Sequence, residues 1–124
     1  MKISALLHAT FLVADLEKSG NFYEGLLGLA PDNERPDLGF PGVWYSLASG
    51  QQIHLMRLTD PEAGLLRPQH GGRDRHVALA VDNLAELAMR LDEAGVGFTS
   101  SRSGRRALFC RDPDGNALEF IEQV

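Results

Sequence analysis

The chain has 124 residues, 44% of them hydrophobic and 23% charged, with a formal net charge of -5; these are the proportions of one ordinary globular domain, and they exclude a disordered chain or two independently stable domains. The acidic balance argues against nucleic acid, whose phosphates need clustered Lys and Arg, and the lone Cys110 excludes an intrachain disulfide and a thiolate metal cluster. No apolar run suffices for a signal peptide or a bilayer span, so the expectation is a cytoplasmic protein with no membrane partner.

Residues 4 to 14 mix partial alternation with β-branched and aromatic residues and end at Asp15, which predicts a strand running into a helix cap. Leu16, Phe22, Tyr23, Leu26 and Leu27 then fit a helical stripe, with Gly25 and Gly28 as terminators. Pro31 and Pro36 mark a loop, and one strand between residues 28 and 37 is hard to place. Strands are expected over 42–47 and 52–58, with Ala48-Ser49-Gly50 as the turn between them. Residues 59–73 hold Pro61, Gly64, Pro68, Gly71 and Gly72 and read as a linker, in which His70 is an exposed loop residue rather than a ligand.

A second strand follows from His76, and then a cleaner helix. Asn83 is its cap with Glu86 three residues on, Leu84, Leu87, Ala88 and Leu91 form its stripe, and Gly95 stops it. Strands over 98–100, 107–111 and 117–122 complete the chain, the last two joined by the turn Asp112-Pro113-Asp114-Gly115. Arg102, Arg105 and Arg106 form a basic loop between strands, and Cys110 reads as a small buried hydrophobe.

The two halves repeat. His8-Ala-Thr-Phe-Leu-Val-Ala-Asp-Leu16 returns as His76-Val-Ala-Leu-Ala-Val-Asp-Asn-Leu84, and Gly50-Gln-Gln-Ile-His54-Leu-Met56 returns as Gly115-Asn-Ala-Leu-Glu119-Phe-Ile121. The chain therefore reads as α+β, two βαβββ modules over 1–58 and 74–124 sharing one core. Strand alternation puts Ala117, Glu119 and Ile121 on one face, an ionisable group among apolar neighbours. Such a carboxylate is costly to bury unless paired, protonated or bound to a cation. Two related modules packed about a pseudo-twofold axis would gather His8, His54, His76 and Glu119, three imidazoles and a carboxylate, a donor set for a divalent cation such as Zn, Ni, Fe, Mn or Co.

These residues carry a resemblance to the vicinal oxygen chelate superfamily, which includes glyoxalase I, fosfomycin-resistance enzymes, methylmalonyl-CoA epimerase, extradiol dioxygenases and bleomycin-resistance proteins. Its most specific parts are Val13-Ala-Asp-Leu16, Phe22-Tyr23, Leu27-Gly28-Leu29 and the closing Asp112-Pro-Asp-Gly-Asn-Ala-Leu-Glu119. The resemblance implies paired βαβββ modules curling into an open, cup-shaped β-barrel around a divalent metal, often as a homodimer. It implies metal ligands at His8, His76 and Glu119, with His54 at a position that is Glu in glyoxalase I and Gln in the epimerase.

The activity this implies is that of a metal-dependent lyase or isomerase of glyoxalase type, in which Glu119 or a metal-bound hydroxide moves the proton alpha to a carbonyl of a small oxygen-chelating substrate. Trp44 and Phe109, at corresponding repeat positions, are expected to line the substrate cavity, with Arg106 at its rim. The alternatives are an extradiol-type iron dioxygenase using His8, His76 and Glu119 as its triad, a fosfomycin-type thiol transferase, and a bleomycin-resistance-like binding protein without chemistry.

Overall fold

The computed structural model describes residues 1–123. The chain divides into two compact units, Met1–Pro61 and Glu62–Val124, and each is built on the βαβββ order. The first runs β1 (His8–Leu12), α1 (Leu16–Gly20), β2 (Ala30–Pro31), β3 (Gly42–Ser46) and β4 (Gln52–Met56). The second runs β5 (His76–Val81), α2 (Leu84–Glu93), β6 (Phe98–Ser100), β7 (Ala107–Arg111) and β8 (Ala117–Glu122). The α+β class and both modules expected from the repeat are present. Each unit holds one four-stranded mixed sheet, ordered β1-β4-β3-β2 and β5-β8-β7-β6, open rather than closed into a barrel. In both, the first strand pairs parallel with the last, and the other pairings are antiparallel.

Local chemistry sets the helix ends. Asp15 accepts hydrogen bonds from the N–H groups of Glu17 and Lys18, and Asn83 accepts from that of Glu86, so both expected caps are in place. α2 closes conventionally. Val96 N–H donates to Leu91 and Gly95 N–H to Asp92, with Gly95 at φ 70°, the left-handed turn that glycine takes without a Cβ clash.

The first helix differs from its expected form. After Gly20 it widens into a π-helical stretch over Asn21–Leu26, marked by Leu27 N–H bonding back to the Phe22 carbonyl. Its close is one residue wider than that of α2: Leu29 N–H reaches Tyr23 and Gly28 N–H reaches Glu24, with Gly28 at φ 74°. Gly25 lies inside this stretch and ends nothing. The wider turn brings Phe22, Tyr23 and Leu26 into the interior together.

Each sheet packs its helix on one face. In the first unit Val13, Tyr23, Tyr45, Ile53 and Leu55 are almost fully buried. The Tyr45 hydroxyl donates to Glu24 Oε2 at 2.8 Å, so this buried phenol is satisfied, and burial, with Glu24 beside it, raises its pKa. In the second unit Leu87 and Leu91 of α2 are buried with Leu108, Cys110, Leu118 and Phe120 of the sheet.

Most of the expected linker packs as part of the second unit. Gly71–Arg73 form a 3-10 turn, and a side chain at Gly71 would stand 3.4 Å from Ala117 Cβ and 3.5 Å from Phe109 Cβ. Asp74 binds Arg111 at 2.8 Å and Arg67 at 3.4 Å, while Glu62 binds Arg67 and Arg75. Among the described residues no helix is long and apolar enough to cross a membrane.

Candidate metal centre

The four expected ligands fall into one pair in each unit. In the first, His54 on β4 lies opposite Thr10 of β1 and Trp44 of β3, so its ring emerges on the face that also carries His8. The His54 ring is layered between two others. His8 stacks on it at 4.1 Å and 13°, and Trp44 at 4.3 Å and 7°.

Gln52 fixes the orientation of His54. Its amide N–H donates to Asp32 Oδ2 at 3.0 Å and to Ser46 Oγ at 3.3 Å, which turns Oε1 toward His54 Nε2 at 2.8 Å. A carbonyl oxygen only accepts, so Nε2 carries the proton and Nδ1 keeps the lone pair. Burial lowers the His54 pKa, the nearby His8 and Arg35 push the same way, and Asp32 opposes them. The ring is held neutral, the form that binds a metal.

In the second unit Glu119 on β8 lies opposite Ala78 of β5 and Phe109 of β7. It is only 4% exposed, and its carboxylate faces His76 Nε2 at 3.4 Å and the Arg105 guanidinium at 3.5 Å. His76 Nδ1 lies 2.9 Å from the Asp74 carbonyl oxygen. That oxygen can only accept, so Nδ1 carries the proton and the neutral ring turns the Nε2 lone pair toward Glu119.

Two acceptors facing one another need a positive charge between them, either a proton that makes the ring imidazolium or a metal cation. Two donors on one tetrahedral cation with bonds of about 2.1 Å lie about 3.4 Å apart, and a backbone carbonyl on the far ring nitrogen is how metal-binding histidines are held. The His76–Glu119 pair fits a divalent cation on both counts. Among the described residues, no group of three or more His, Cys, Asp and Glu could hold one.

The expected substrate-contacting residues have distinct surroundings. Trp44 covers His54. Phe109, nearly buried, presents its ring to His76 edge-on at 5.4 Å and to His70 at 5.0 Å. Arg106 is engaged with Glu122, whose other oxygen accepts the Leu84 N–H at the start of α2; these contacts lower the Glu122 pKa, Arg106 contributing most. It is Arg105 of the same loop that reaches Glu119.

Sequence reasoning missed three features of the site. Gln52 was visible only as part of the repeated segment that carries His54, and Arg105 only as one of a basic group. His70, expected as a merely exposed residue, is half-buried, and its Nδ1 accepts the Gly72 N–H at 3.0 Å. The two glycines after it were the available signal, since they let the loop press on the sheet.

The chain matches known proteins along nearly its whole length. Residues 5–120 fit the family model described as Glyoxalase/Bleomycin resistance protein/Dioxygenase superfamily. A lactoylglutathione lyase of Escherichia coli O157:H7 is 30% identical over 95% of this chain and 92% of its own. The mitochondrial methylmalonyl-CoA epimerase of Mus musculus is 29% identical over 99% of this chain and 75% of its own. A structure of the fosfomycin resistance protein FosX from Listeria monocytogenes, in complex with Mn(II) and 1S,2S-dihydroxypropylphosphonic acid, superposes with a TM-score of 0.76 at 20% identity, covering 99% of this chain and 95% of that one. With its two βαβββ units, its ligand-type residues on first and last strands and this match from residue 5 to residue 120, the chain belongs to the glyoxalase/bleomycin resistance/dioxygenase superfamily.

Proposed function

We propose that this protein is a divalent-metal-dependent lyase or isomerase of glyoxalase type, acting on a small substrate that presents neighbouring oxygens. The observation that carries the reading is the buried Glu119 carboxylate facing the His76 Nε2 lone pair across 3.4 Å. In this reading His76 and Glu119 are the ligand pair of the second unit and His8 and His54 that of the first, donors that suit zinc, nickel, iron, manganese or cobalt. Such a cation, when bound, stabilises the oxyanion that develops as a carbon next to a carbonyl loses its proton.

Glu119 is the base. Its carboxylate accepts the proton from that carbon and returns it on the neighbouring one, the transfer that a glyoxalase-type lyase needs. The Asp74 carbonyl fixes the His76 ring, and the exposed Arg105 offsets the carboxylate charge without burying a second ion. Phe109, edge-on to His76 at 5.4 Å, presents apolar surface beside that ring, and Trp44 does the same beside His54. A homodimer, implied by the resemblance, belongs to the same proposal and is read from the mass in solution.

Elemental analysis of untagged protein comes first, followed by S-lactoylglutathione and methylmalonyl-CoA as trial substrates in deuterated water with the metal retained. Incorporation of solvent deuterium at the carbon alpha to the carbonyl is expected. Glu119→Gln should lower turnover by at least about 100-fold, the lower range for a general base, while retaining more metal than His76→Ala, which loses both. Normal turnover by Glu119→Gln would remove the base assignment.

One observation favours a second reading, a binding protein like the bleomycin-resistance proteins: no group of three or more ligand-type residues forms among the described residues. Protein that purifies without metal, and whose fold and ligand binding ignore chelators, would carry that reading instead. Stoichiometric iron with no proton exchange would point to the dioxygenase.

A further inference from the structure

The second unit contains a cleft of about 510 Å³ lined by Pro68, Gln69, His70, Arg73, Thr99 and Arg102. No carboxylate lines it. Of the eight arginines in this unit, Arg67, Arg75, Arg90, Arg105, Arg106 and Arg111 are held in ion pairs. Arg73 and Arg102 have no ion pair among the described residues, and both line this cleft. Two uncompensated guanidiniums on one concave surface give it a positive potential that attracts anions.

The remaining polar groups are donors too. Because Gly72 N–H donates to His70 Nδ1 at 3.0 Å, the proton of the neutral His70 ring sits on Nε2. Gln69 adds an amide N–H. The cleft thus offers two full positive charges and two neutral donors, which matches the charge and the many lone pairs of a tetrahedral dianion better than a carboxylate's single charge.

Its position relates it to Glu119. Thr99 lies opposite Phe109, and Phe109 opposite Glu119, so all three side chains emerge on one face of the sheet. Two strand spacings put Thr99 roughly 10 Å from Glu119, with the Phe109 ring in contact with both His70 and His76. We propose that this cleft binds a phosphate-type dianion, the phosphate or phosphonate arm of a substrate whose reacting carbon lies at Glu119. The anion site stands on its own; its assignment to a substrate arm rests on the function proposed above.

The test uses metal-free, full-length protein and inorganic phosphate, followed by calorimetry and by the ring resonances of His70. Saturable binding that shifts His70 is expected, with acetate binding more weakly. Arg73→Gln combined with Arg102→Gln should weaken phosphate at least tenfold, the thermal midpoint of this variant staying unchanged because both side chains are exposed and unpaired. No shift at His70, equal affinity in the double arginine variant, or acetate binding as tightly as phosphate would each overturn the site. Phosphate bound at His70 but failing to compete with turnover of a phosphorylated substrate would overturn the arm assignment alone. Loss of the metal-enzyme reading, with phosphate binding intact, would leave the anion site standing.

Discussion

Single residues carry most of the chemistry, and the interior decides which of them can react. Cys110 is the contrasting case to Glu119: burial, reinforced by Asp112, pushes its thiol up to about 12, so at neutral pH almost none is thiolate, the reactive form. A disulfide reagent is expected to leave native protein unlabelled and to modify one thiol per chain after unfolding; rapid labelling of the native state would contradict the packing of β7. Glu119 was legible in sequence because a carboxylate between Leu118 and Phe120, on a strand face shared with Ala117 and Ile121, breaks an apolar pattern. The proton position on His76 was not legible, since it is set by the Asp74 carbonyl, a backbone atom whose place no side-chain pattern encodes.

Among elements, those whose signals were local came through best. α2 has its cap, stripe and terminator where the sequence put them, and β6, β7 and β8 keep their expected limits. Asn83→Ala removes the acceptor for the Glu86 N–H and should cost about 1 kcal/mol. Leu91→Ala, at a fully buried position, should cost about 2–5 kcal/mol. Urea unfolding of both variants checks the order, and a cap loss larger than the core loss would mean α2 is held mainly by its end. The π-helical stretch was not legible because its stripe, Phe22, Tyr23 and Leu26, is as compatible with one turn width as with the other. The short β2 escaped for another reason: two residues carry no period.

On the scale of the whole chain, the repeat was the dependable signal, giving both modules and the topology that follows from them. The Pro and Gly content of residues 59–73 describes only their backbone, whereas their ion pairs depend on distant partners. Those pairs set an acid limit. The Arg111 hydrogen bond, the Arg75 N–H and the charges of Arg67 and Arg111 hold the Asp74 pKa below its ordinary 3.8 against the opposing effect of desolvation. Arg75 and Arg67 likewise depress that of Glu62. A depressed carboxylate stabilises the folded state above its ordinary pKa and loses that contribution as pH falls through the lowered one. Stability should therefore decline as pH drops below about 3.8, and Asp74→Asn, less stable at neutral pH, should show a flatter decline. Urea midpoints measured from neutral to acid pH decide it, and parallel curves would contradict the role of Asp74.

The layered rings of the first unit give the chain an optical signal of its own. Trp44 is the only tryptophan, and it lies face to face with His54 at 4.3 Å, so emission excited at the red edge, where the two tyrosines do not absorb, comes from a ring stacked on one candidate ligand. Titration with Mn, Co or Ni should quench that emission as the ion arrives, and His54→Ala should brighten the metal-free protein and blunt the response. An emission spectrum unmoved by a stoichiometrically bound metal would place the ion away from His54, so a fluorimeter alone can report whether this imidazole takes part.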